Sequence, residues 1–145
     1  MDSLLVKAKR KDNNEWVTGY YVWFERSNGH YIYSNEKRGT LVYKVIPETI
    51  CRNTGFYDSK GNELWEHDIV KNIPMYEEYG EIYYSEIVFV KDDGMWMLKE
   101  KLEFNGKHVT DCELAGMEKY AEKVGSKFDY PELLDASCTN SRTGN

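Results

Sequence analysis

The run EWVTGYYVWF, residues 15–24, is the strongest secondary-structure signal in this chain. It is dense in β-branched and aromatic residues, which favour strands. Ser27-Asn28-Gly29 follows it and precedes a similar run, HYIYS, so the sequence predicts a hairpin. Asn-Gly suits the tight type I′ turn of such a hairpin, because both central residues need positive φ angles. A third strand is predicted from Thr40 to Ile46.

Strand and turn signals recur along the rest of the chain. Asp68-Ile69-Val70 predicts a short strand, and Glu81 to Val90 predicts a long one that turns back at Asp93-Gly94. Asn105-Gly106 predicts another turn of the same kind. Ala115 to Val124 combines helix-friendly residues with closely spaced glycines, and we predict a strand there. The sequence therefore predicts a mainly β protein with little helix.

Apolar side chains point to both sides of the strand at residues 16–24. One side carries Trp16, Tyr20, Val22 and Phe24, and the other carries Val17, Tyr21 and Trp23. Such a strand fits a curled sheet, two packed sheets or a surface covered by another subunit. We predict that the protein self-associates through an aromatic strand face or edge.

Size and composition predict one globular domain. The chain has 145 residues, of which 41% are hydrophobic and 14% aromatic, and this length can bury a substantial core. We assign residues 1–136 to a single β domain, with a division into two small β subdomains near residues 50–54 as the alternative. Residues 137–145 are rich in Ser, Thr, Asn and Gly and form a polar tail.

Charge and cysteine content narrow the location and the partners. The net charge is −6, which opposes unspecific adhesion to nucleic acid or to an anionic membrane. The three cysteines, Cys51, Cys112 and Cys138, leave one unpaired in any disulfide scheme, so a reducing compartment is the simpler interpretation. No uninterrupted apolar run is long enough to span a bilayer. We expect a cytoplasmic protein without a membrane partner.

Only a few residues can be considered for a chemical role from the sequence alone. Asp58 suits the start of a turn, where its carboxylate accepts backbone N–H groups. Glu66 and Asp68 stand two residues apart and could share a face for acid–base work. The segment HVTDCE at residues 108–113 contains metal-capable atoms but matches no standard ligand spacing, and glycine-rich phosphate loops are absent. We predict no catalytic residue, no metal and no cofactor.

A basic cluster near the N-terminus is the candidate nucleic-acid contact. It is formed by residues 7–11, and four tyrosines of the neighbouring strands, Tyr20, Tyr21, Tyr31 and Tyr33, could supply stacking platforms beside it. The acidic net charge counts against this interpretation. The candidate contact residues are Lys7, Lys9, Arg10, Lys11, Tyr20 and Tyr31.

One longer motif, TGFYDSKGNELWEHDIV at residues 54–70, resembles the signature of the YopX family of phage and prophage proteins. The family's pattern has Thr-Gly, Asp, Gly and Asp at fixed spacing. This chain has His67 at a position where the pattern has glycine. EWVTGYYV near the start and VGSKFDYPELL at residues 124–134 resemble other parts of the family. The resemblance implies a β fold with an SH3-like barrel portion, additional antiparallel strands and no established activity. The motif residues, which we take as structural or binding rather than catalytic, are Thr54, Gly55, Asp58, Gly61 and Asp68.

Three functional hypotheses follow from these observations. The leading one is a non-enzymatic phage or prophage accessory protein of the bacterial cytoplasm, which works by binding a phage or host protein or by forming a homo-oligomer. The first alternative is a nucleic-acid-binding regulator that uses the basic cluster. The second alternative is a small hydrolase that uses Glu66 and Asp68.

Overall fold

The computed structural model of this chain describes residues 5–27, 29–36, 39–72, 84–100, 103–104, 107–108 and 112–134. Two compact units divide the chain, Met1–Gly55 and Phe56–Asn145. Most described residues lie in strands, and the remainder includes 3-10 turns at Pro47–Thr49 and Glu118–Tyr120. The predicted mainly β fold with little helix is confirmed.

The first unit is a four-stranded antiparallel meander extended by one further strand. Its strands have the order β4-β3-β2-β1-β5. The strands are β1 (Leu5–Lys9), β2 (Trp16–Phe24), β3 (Gly29–Glu36), β4 (Gly39–Lys44) and β5 (Cys51–Tyr57).

The second unit is built on a five-stranded antiparallel sheet of order β12-β9-β8-β7-β13, and β10 and β11 form a separate pair. A helical turn at residues 132–134 follows the last strand. The strands are β6 (Glu63–Trp65), β7 (Asp68–Asn72), β8 (Tyr84–Val90), β9 (Met95–Glu100), β10 (Glu103–Phe104), β11 (Lys107–His108), β12 (Cys112–Glu113) and β13 (Ala121–Ser126).

Each unit has its own apolar core. In the first unit the core side of the sheet is formed by four buried residues, Val6, Ala8, Ile32 and Val45. In the second unit the core residues come from β6 to β9, from β13 and from the segment between β12 and β13, and they are Leu64, Val70, Ile87, Leu98, Leu114 and Ala121. Because side chains alternate between the two sides of a strand, the residues next to these core residues in the sequence point to the opposite side of the sheet.

The described strands do not form the closed barrel that the SH3-like expectation implied. In the first unit a single isolated bridge between Arg10 and Val45 joins the end of β1 to the end of β4. One bridge curls the sheet but leaves most of β4 as an edge. The two larger sheets of the described chain are therefore open.

The hairpin predicted between β2 and β3 is present, but its turn is not the predicted one. Phe24 pairs with Gly29, so Gly29 is already part of β3 and is not a turn residue, while Asn28 lies outside the described residues. A Cβ atom at Gly29 would lie 2.7 Å from the ring of Tyr31, so a larger residue there would require this ring to move. The prediction of a two-residue Asn28-Gly29 turn is wrong.

The other turn and strand predictions have mixed outcomes. The turn at Asp93-Gly94 is confirmed, since Val90 pairs with Met95 and Gly94 has a φ of 64°. The strand predicted from Ala115 begins only at Ala121, because a turn with Gly116 at a φ of 94° precedes it. Asn105-Gly106 and the polar tail lie outside the described residues.

Candidate functional site

The strand register of the first unit gathers the basic and aromatic residues of β1 to β4 on one side of its sheet. Lys9 lies opposite Trp16, and Tyr20 lies opposite Tyr33. Directly paired residues share a side, and successive residues of a strand alternate between sides. These pairings define what we call the lysine–aromatic face, formed by Lys7, Lys9, Trp16, Tyr20, Phe24, Tyr31, Tyr33 and Lys44.

The lysine–aromatic face is turned away from the core. The core residues Ala8 and Ile32 occupy alternate positions of the same strands and therefore point to the other side. Tyr20 is 50% exposed and Phe24 is 39% exposed, and Lys44 is also exposed. Aromatic side chains of this size are normally buried in a core, so their exposure here requires an explanation.

Contacts within the lysine–aromatic face order its rings and ammonium groups. The Nζ atoms of Lys7 and Lys9 lie 4.6 Å and 5.4 Å from the centroid of the Trp16 ring. Phe24 packs edge-on against Tyr31, with ring centroids 5.2 Å apart, and lies 6.3 Å from Tyr33. Cation–π and ring contacts of this kind each contribute about 0.5–1 kcal/mol at exposed sites. The rings are therefore held in place before any ligand arrives.

The local charge of this face differs from that of the whole chain. Along β1 to β4, no position on this side of the sheet carries Asp or Glu, whereas three positions carry Lys. The chain as a whole has a net charge of −6. An open surface that combines positive charge with exposed rings matches the requirements of single-stranded nucleic acid, whose bases stack on the rings and whose phosphates pair with the cations.

The structure brings together only part of the predicted nucleic-acid contact set. Lys7, Lys9, Tyr20 and Tyr31 all belong to the lysine–aromatic face. Arg10 does not, because its guanidinium donates a hydrogen bond to Asp12, with Nε 2.9 Å from Oδ1, and stacks on the ring of Tyr43, which lies on the core side.

Lys11 lies in the turn after β1, where its backbone N–H donates to the carbonyl of Lys44. Tyr33, one of the tyrosines considered as stacking platforms, also lies on this face, whereas Tyr21 lies on the reverse side. The residues of the face that the sequence did not single out as contacts are Trp16, Phe24 and Lys44. The period-two alternation of β2 could have identified the two aromatic residues among them.

The reverse side of β2 carries a second, smaller group of exposed rings. Tyr21 and Trp23 are 41% and 44% exposed. His30 lies between them, with its Nδ1 2.6 Å from the Tyr21 hydroxyl and its ring centroid 4.6 Å from that of Trp23. On β2 and β3 no lysine lies on the same side as these rings. These strands therefore offer, on this side, no ammonium group that could pair with a phosphate.

The Asp58 part of the family-like motif forms a tightly bonded turn in the second unit. The buried Asp58 carboxylate accepts hydrogen bonds from the backbone N–H groups of Lys60, Asn62 and Lys123, at 2.9, 2.8 and 2.8 Å. Burial raises the pKa of Asp58, but these bonds outweigh it and the pKa lies below its usual value. The bond from Lys123 ties the turn to β13, so Asp58 joins distant parts of the chain.

Three further motif residues are Thr54, Gly55 and Gly61. Gly55 and Gly61 have φ angles of 81° and 84°, where glycine avoids the strain that a side chain causes. Thr54 is 8% exposed. The conformation of the two glycines is a physical reason for their place in the motif.

Asp68 anchors the other end of the motif, and it differs from its neighbour Glu66. The Asp68 side chain is fully buried, accepts a hydrogen bond from the Trp65 N–H at 2.8 Å and lies 3.2 Å from the Lys123 Nζ. Glu66 is half-buried, and its Oε2 lies 4.0 Å from the His67 Nε2. The two carboxylates proposed for a hydrolase are thus in different surroundings, and Asp68 is bound to the Trp65 N–H of its own turn and to Lys123 of β13.

His67 occupies a strained backbone position at the centre of a charged cluster. Its φ is 67°, in the left-handed region that non-glycine residues seldom adopt. Its Nδ1 lies 2.7 Å from the Oε2 of Glu86, which also lies 3.3 Å from the Lys127 Nζ. Burial raises the pKa of Glu86, but the His67 hydrogen bond and the Lys127 charge lower it below its usual value. The side chain of His67 therefore compensates for a backbone that would suit glycine.

This position gives a prediction about stability. We expect His67→Gly to be more stable than His67→Ala by about 1 kcal/mol, because both variants lose the Glu86 contact but only alanine keeps the backbone strain. At ordinary positions alanine is the more stable of the two. Urea unfolding of both variants measures the difference, and an alanine variant as stable as the glycine variant would contradict the strained conformation.

The cysteines and the metal-capable segment show no assembled site among the described residues. Cys51 is buried and its Sγ donates to the Thr49 carbonyl at 3.2 Å, while Cys112 is half-buried against the second core. Within the described part of the chain no three His, Cys, Asp or Glu side chains are grouped so that they could hold a metal ion. Asp111, from the segment at residues 108–113, lies outside the described residues.

Helices of the described ranges are all too short and too polar to cross a bilayer.

Comparison with known proteins gives a family and a fold neighbour. The crystal structure of protein EF1440 from Enterococcus faecalis superimposes with a TM-score of 0.50 at 16% sequence identity, covering 89% of this chain and 96% of that one. No curated protein matches the sequence. The family model described as YopX protein matches residues 7–135. Because this match extends over most of the chain, the protein belongs to the YopX family.

Proposed function

We propose that this protein is a non-catalytic module that binds single-stranded nucleic acid on its lysine–aromatic face, in the cytoplasm of a bacterium that carries a phage or prophage. The observation that carries the proposal is the register of β1 to β4, which gathers three lysines and five aromatic residues on one side of a sheet. The phage context rests on the resemblance to phage and prophage proteins, and the cytoplasmic location rests on the odd number of cysteines, which favours a reducing compartment.

The chemistry of the face favours single strands over duplexes. Bases stack on exposed rings such as Tyr20 and Phe24 only when their own faces are free, and in a duplex neighbouring base pairs cover those faces. Stacking accepts every base, so binding should depend little on sequence. The lysines would contact phosphates, which every single strand presents regularly.

The acidic net charge of the protein counts against nucleic-acid binding, but the charges are distributed unevenly over the protein. Electrostatic attraction depends on the charge near the bound phosphates, since exposed charges farther away than about 8 Å are largely screened at physiological salt. The lysine–aromatic face has three lysines and no acidic strand position. Acidic residues elsewhere on the protein would mainly slow association.

The non-catalytic part of the proposal is supported by the second unit. The Asp68 carboxylate is fully buried and bound to the Trp65 N–H and to Lys123, which suits a structural role rather than proton transfer to a substrate. Self-association stays a prediction of the sequence. The exposed Leu41 and Val42 on the edge strand β4 are consistent with it.

The proposal is tested by fluorescence anisotropy with a labelled 15-nucleotide oligothymidine at several salt concentrations. We expect saturable binding that weakens with salt, with a slope of log K against log salt near about −2 if three lysines contact phosphates. Lys7→Gln combined with Lys9→Gln should reduce the slope to about −0.7. The matched control is Lys91→Gln, an exposed lysine of the β8–β9 turn, which should behave as wild type.

Two results would overturn the proposal. One is the absence of any anisotropy change at 100 µM protein, a concentration of the order at which weak unspecific complexes form. The other is binding with the same salt slope in wild type and in the Lys7/Lys9 double variant.

A further inference from the structure

The lysines of the first unit meet where the end of β1 runs beside the end of β4. Arg10 and Val45 form an isolated bridge between the two strands. Two backbone hydrogen bonds of 2.9 Å flank the bridge, one from the Lys11 N–H to the Lys44 carbonyl and the other to the Lys9 carbonyl. Lys44 therefore lies directly opposite Lys11 and diagonally opposite Lys9.

The side chains of these lysines point away from the core. Val45 is buried in the first core, and Arg10 lies on the same side, over Tyr43. Side chains alternate between the two sides of a strand, so the residues next to Arg10 and Val45 point outward. Lys7 lies on the same outward side as Lys9, two positions along β1. We call this group the seam lysines: Lys7, Lys9, Lys11 and Lys44.

Neighbouring seam lysines are close enough to act on one anion. Directly opposite residues have Cβ atoms about 5 Å apart, diagonal neighbours lie about 7–8 Å apart, and alternate residues of one strand lie about 7 Å apart. These separations do not exceed the screening length of about 8 Å at physiological salt. Lys11 and Lys44 are also exposed, and their flexible stems allow the ammonium groups to converge. The charges of the seam lysines therefore act together.

Trp16 positions two of the seam lysines. The Nζ atoms of Lys7 and Lys9 lie 4.6 Å and 5.4 Å from the centroid of the Trp16 ring. Cation–π attraction holds ammonium groups at such distances from an indole. Both ammonium groups are therefore gathered at one ring, and this ring arranges cations for a ligand.

The acidic residue next to Lys11 does not cancel the charge of the seam lysines. The Asp12 carboxylate accepts a hydrogen bond from the Arg10 guanidinium, with Nε 2.9 Å from Oδ1. Arg10 compensates Asp12, so the two residues together add no net charge. The pair therefore leaves the local excess of positive charge unchanged.

A phosphate at the end of a strand matches this concentration of charge better than a phosphate inside the strand. An internal phosphodiester carries one negative charge, whereas a terminal phosphate carries about −1.5 to −2 charges at pH 7 and presents three strong acceptor oxygens. Tyr31 lies directly opposite Lys44, and its ring packs against that of Phe24. A base next to a phosphate on the seam lysines would therefore find rings on which to stack.

We infer that the seam lysines bind the terminal phosphate of a single strand, so that the protein recognises phosphorylated strand ends. This inference rests on the proposed function and specifies its substrate class. The ammonium groups donate to the oxygens of the terminal phosphate, and the terminal base stacks on Tyr31. The chemistry required of the ligand is a phosphate monoester, which either the 5′ or the 3′ end can carry.

A competition assay with the full-length protein tests the inference. Unlabelled oligothymidines displace the labelled 15-nucleotide ligand, and the set comprises a six-nucleotide strand with a 5′ phosphate, with a 3′ phosphate or with hydroxyl ends. An eight-nucleotide strand with hydroxyl ends is the matched control, because it carries about the same charge as the phosphorylated six-nucleotide strands.

We expect a terminal phosphate to strengthen binding of the six-nucleotide strand by at least about fivefold, as for one to two additional exposed ion pairs. The phosphorylated strand should also bind more tightly than the eight-nucleotide control, although their charges are alike. A gain with the 5′ phosphate alone, or with the 3′ phosphate alone, supports the inference and identifies the end that is bound.

Variants of the seam lysines provide the second arm of the test. In the double variant Lys11→Gln and Lys44→Gln, the preference for the phosphorylated strand should fall to about twofold or less. The exposed control Lys91→Gln should keep the wild-type preference.

Two results would overturn the inference. One is equal binding of the eight-nucleotide control and both phosphorylated strands by the wild-type protein, and the other is an undiminished preference in the double variant. Either result leaves the proposed function intact, since the labelled 15-nucleotide ligand still binds. Absence of binding to that ligand would overturn the proposed function itself.

Discussion

Replacing Trp65 with alanine should lower the free energy of unfolding by about 3–5 kcal/mol, the usual cost of removing a large buried aromatic side chain. Trp65 is 5% exposed at the end of β6, next to the fully buried Leu64. Its backbone N–H is fixed by Asp68, so the surrounding turn cannot easily collapse into the space left by the ring. Equilibrium urea unfolding followed by circular dichroism measures the loss in the transition of the second unit.

The control for this prediction is another tryptophan in the same protein. Trp23 is 44% exposed, and Trp23→Ala should cost less than about 1 kcal/mol, because an exposed ring leaves no cavity. An unfolding midpoint of Trp65→Ala equal to that of wild type would contradict the assignment of Trp65 to the interior.

The second large effect is expected on binding. The double variant Tyr20→Ala and Phe24→Ala should weaken binding to the 15-nucleotide oligothymidine by at least about thirtyfold, since each base–ring stack contributes about 1–3 kcal/mol. Both rings are exposed, at 50% and 39%, and both lie on the lysine–aromatic face. Their removal should therefore change binding more than it changes stability.

The matched control removes two rings from the reverse side of the same strand. Tyr21 and Trp23 are exposed to a similar extent, 41% and 44%, but they lie away from the lysines of β1. The double variant Tyr21→Ala and Trp23→Ala should keep wild-type affinity in the same anisotropy assay. Equal losses in both double variants would show that the rings act through general stability and not through the lysine–aromatic face.

Local sequence signals were sufficient for most strands and for the buried turn. Alternation and β-branched residues located β2, β3, β4 and β8, because these runs are long and uninterrupted. The polar turn DSKGN followed by apolar positions predicts that Lys60 and Asn62 are exposed and that Trp65 and Ile69 are buried, and the structure confirms this. Each of these features depends on residues close together in the chain.

The strand β1 was not predicted, for an identifiable reason. Val6 to Lys9 alternates apolar and basic residues, and because of its charge this segment was interpreted as a solvated basic cluster. The strand is stabilised by pairing with β2 on one side and β5 on the other, and the β5 partners, Cys51 and Arg52, are more than forty residues away in sequence. Strand formation that depends on such distant partners is only weakly indicated by the residues of the strand itself.

The candidate site depends on the same long-range information. The sequence showed that Tyr20 and Phe24 share one side of a strand. It could not show that Lys9 pairs with Trp16 or that Lys44 pairs with Tyr31, because those registers depend on loop lengths and on the core. Without the register, Arg10 was grouped with Lys7 and Lys9, although it lies over Tyr43 on the core side.

The central claim is that nucleic acid binds to one defined side of the first unit's sheet, and the indole N–H signals of Trp16 and Trp23 test it most directly. These rings lie on opposite sides of β2. In a nitrogen–proton correlation NMR titration with a 4-nucleotide oligothymidine, each signal is assigned by a Trp→Phe variant. We predict that the Trp16 signal shifts progressively and saturates while the Trp23 signal stays in place. A shift confined to Trp23, or no shift at either indole, would contradict the account.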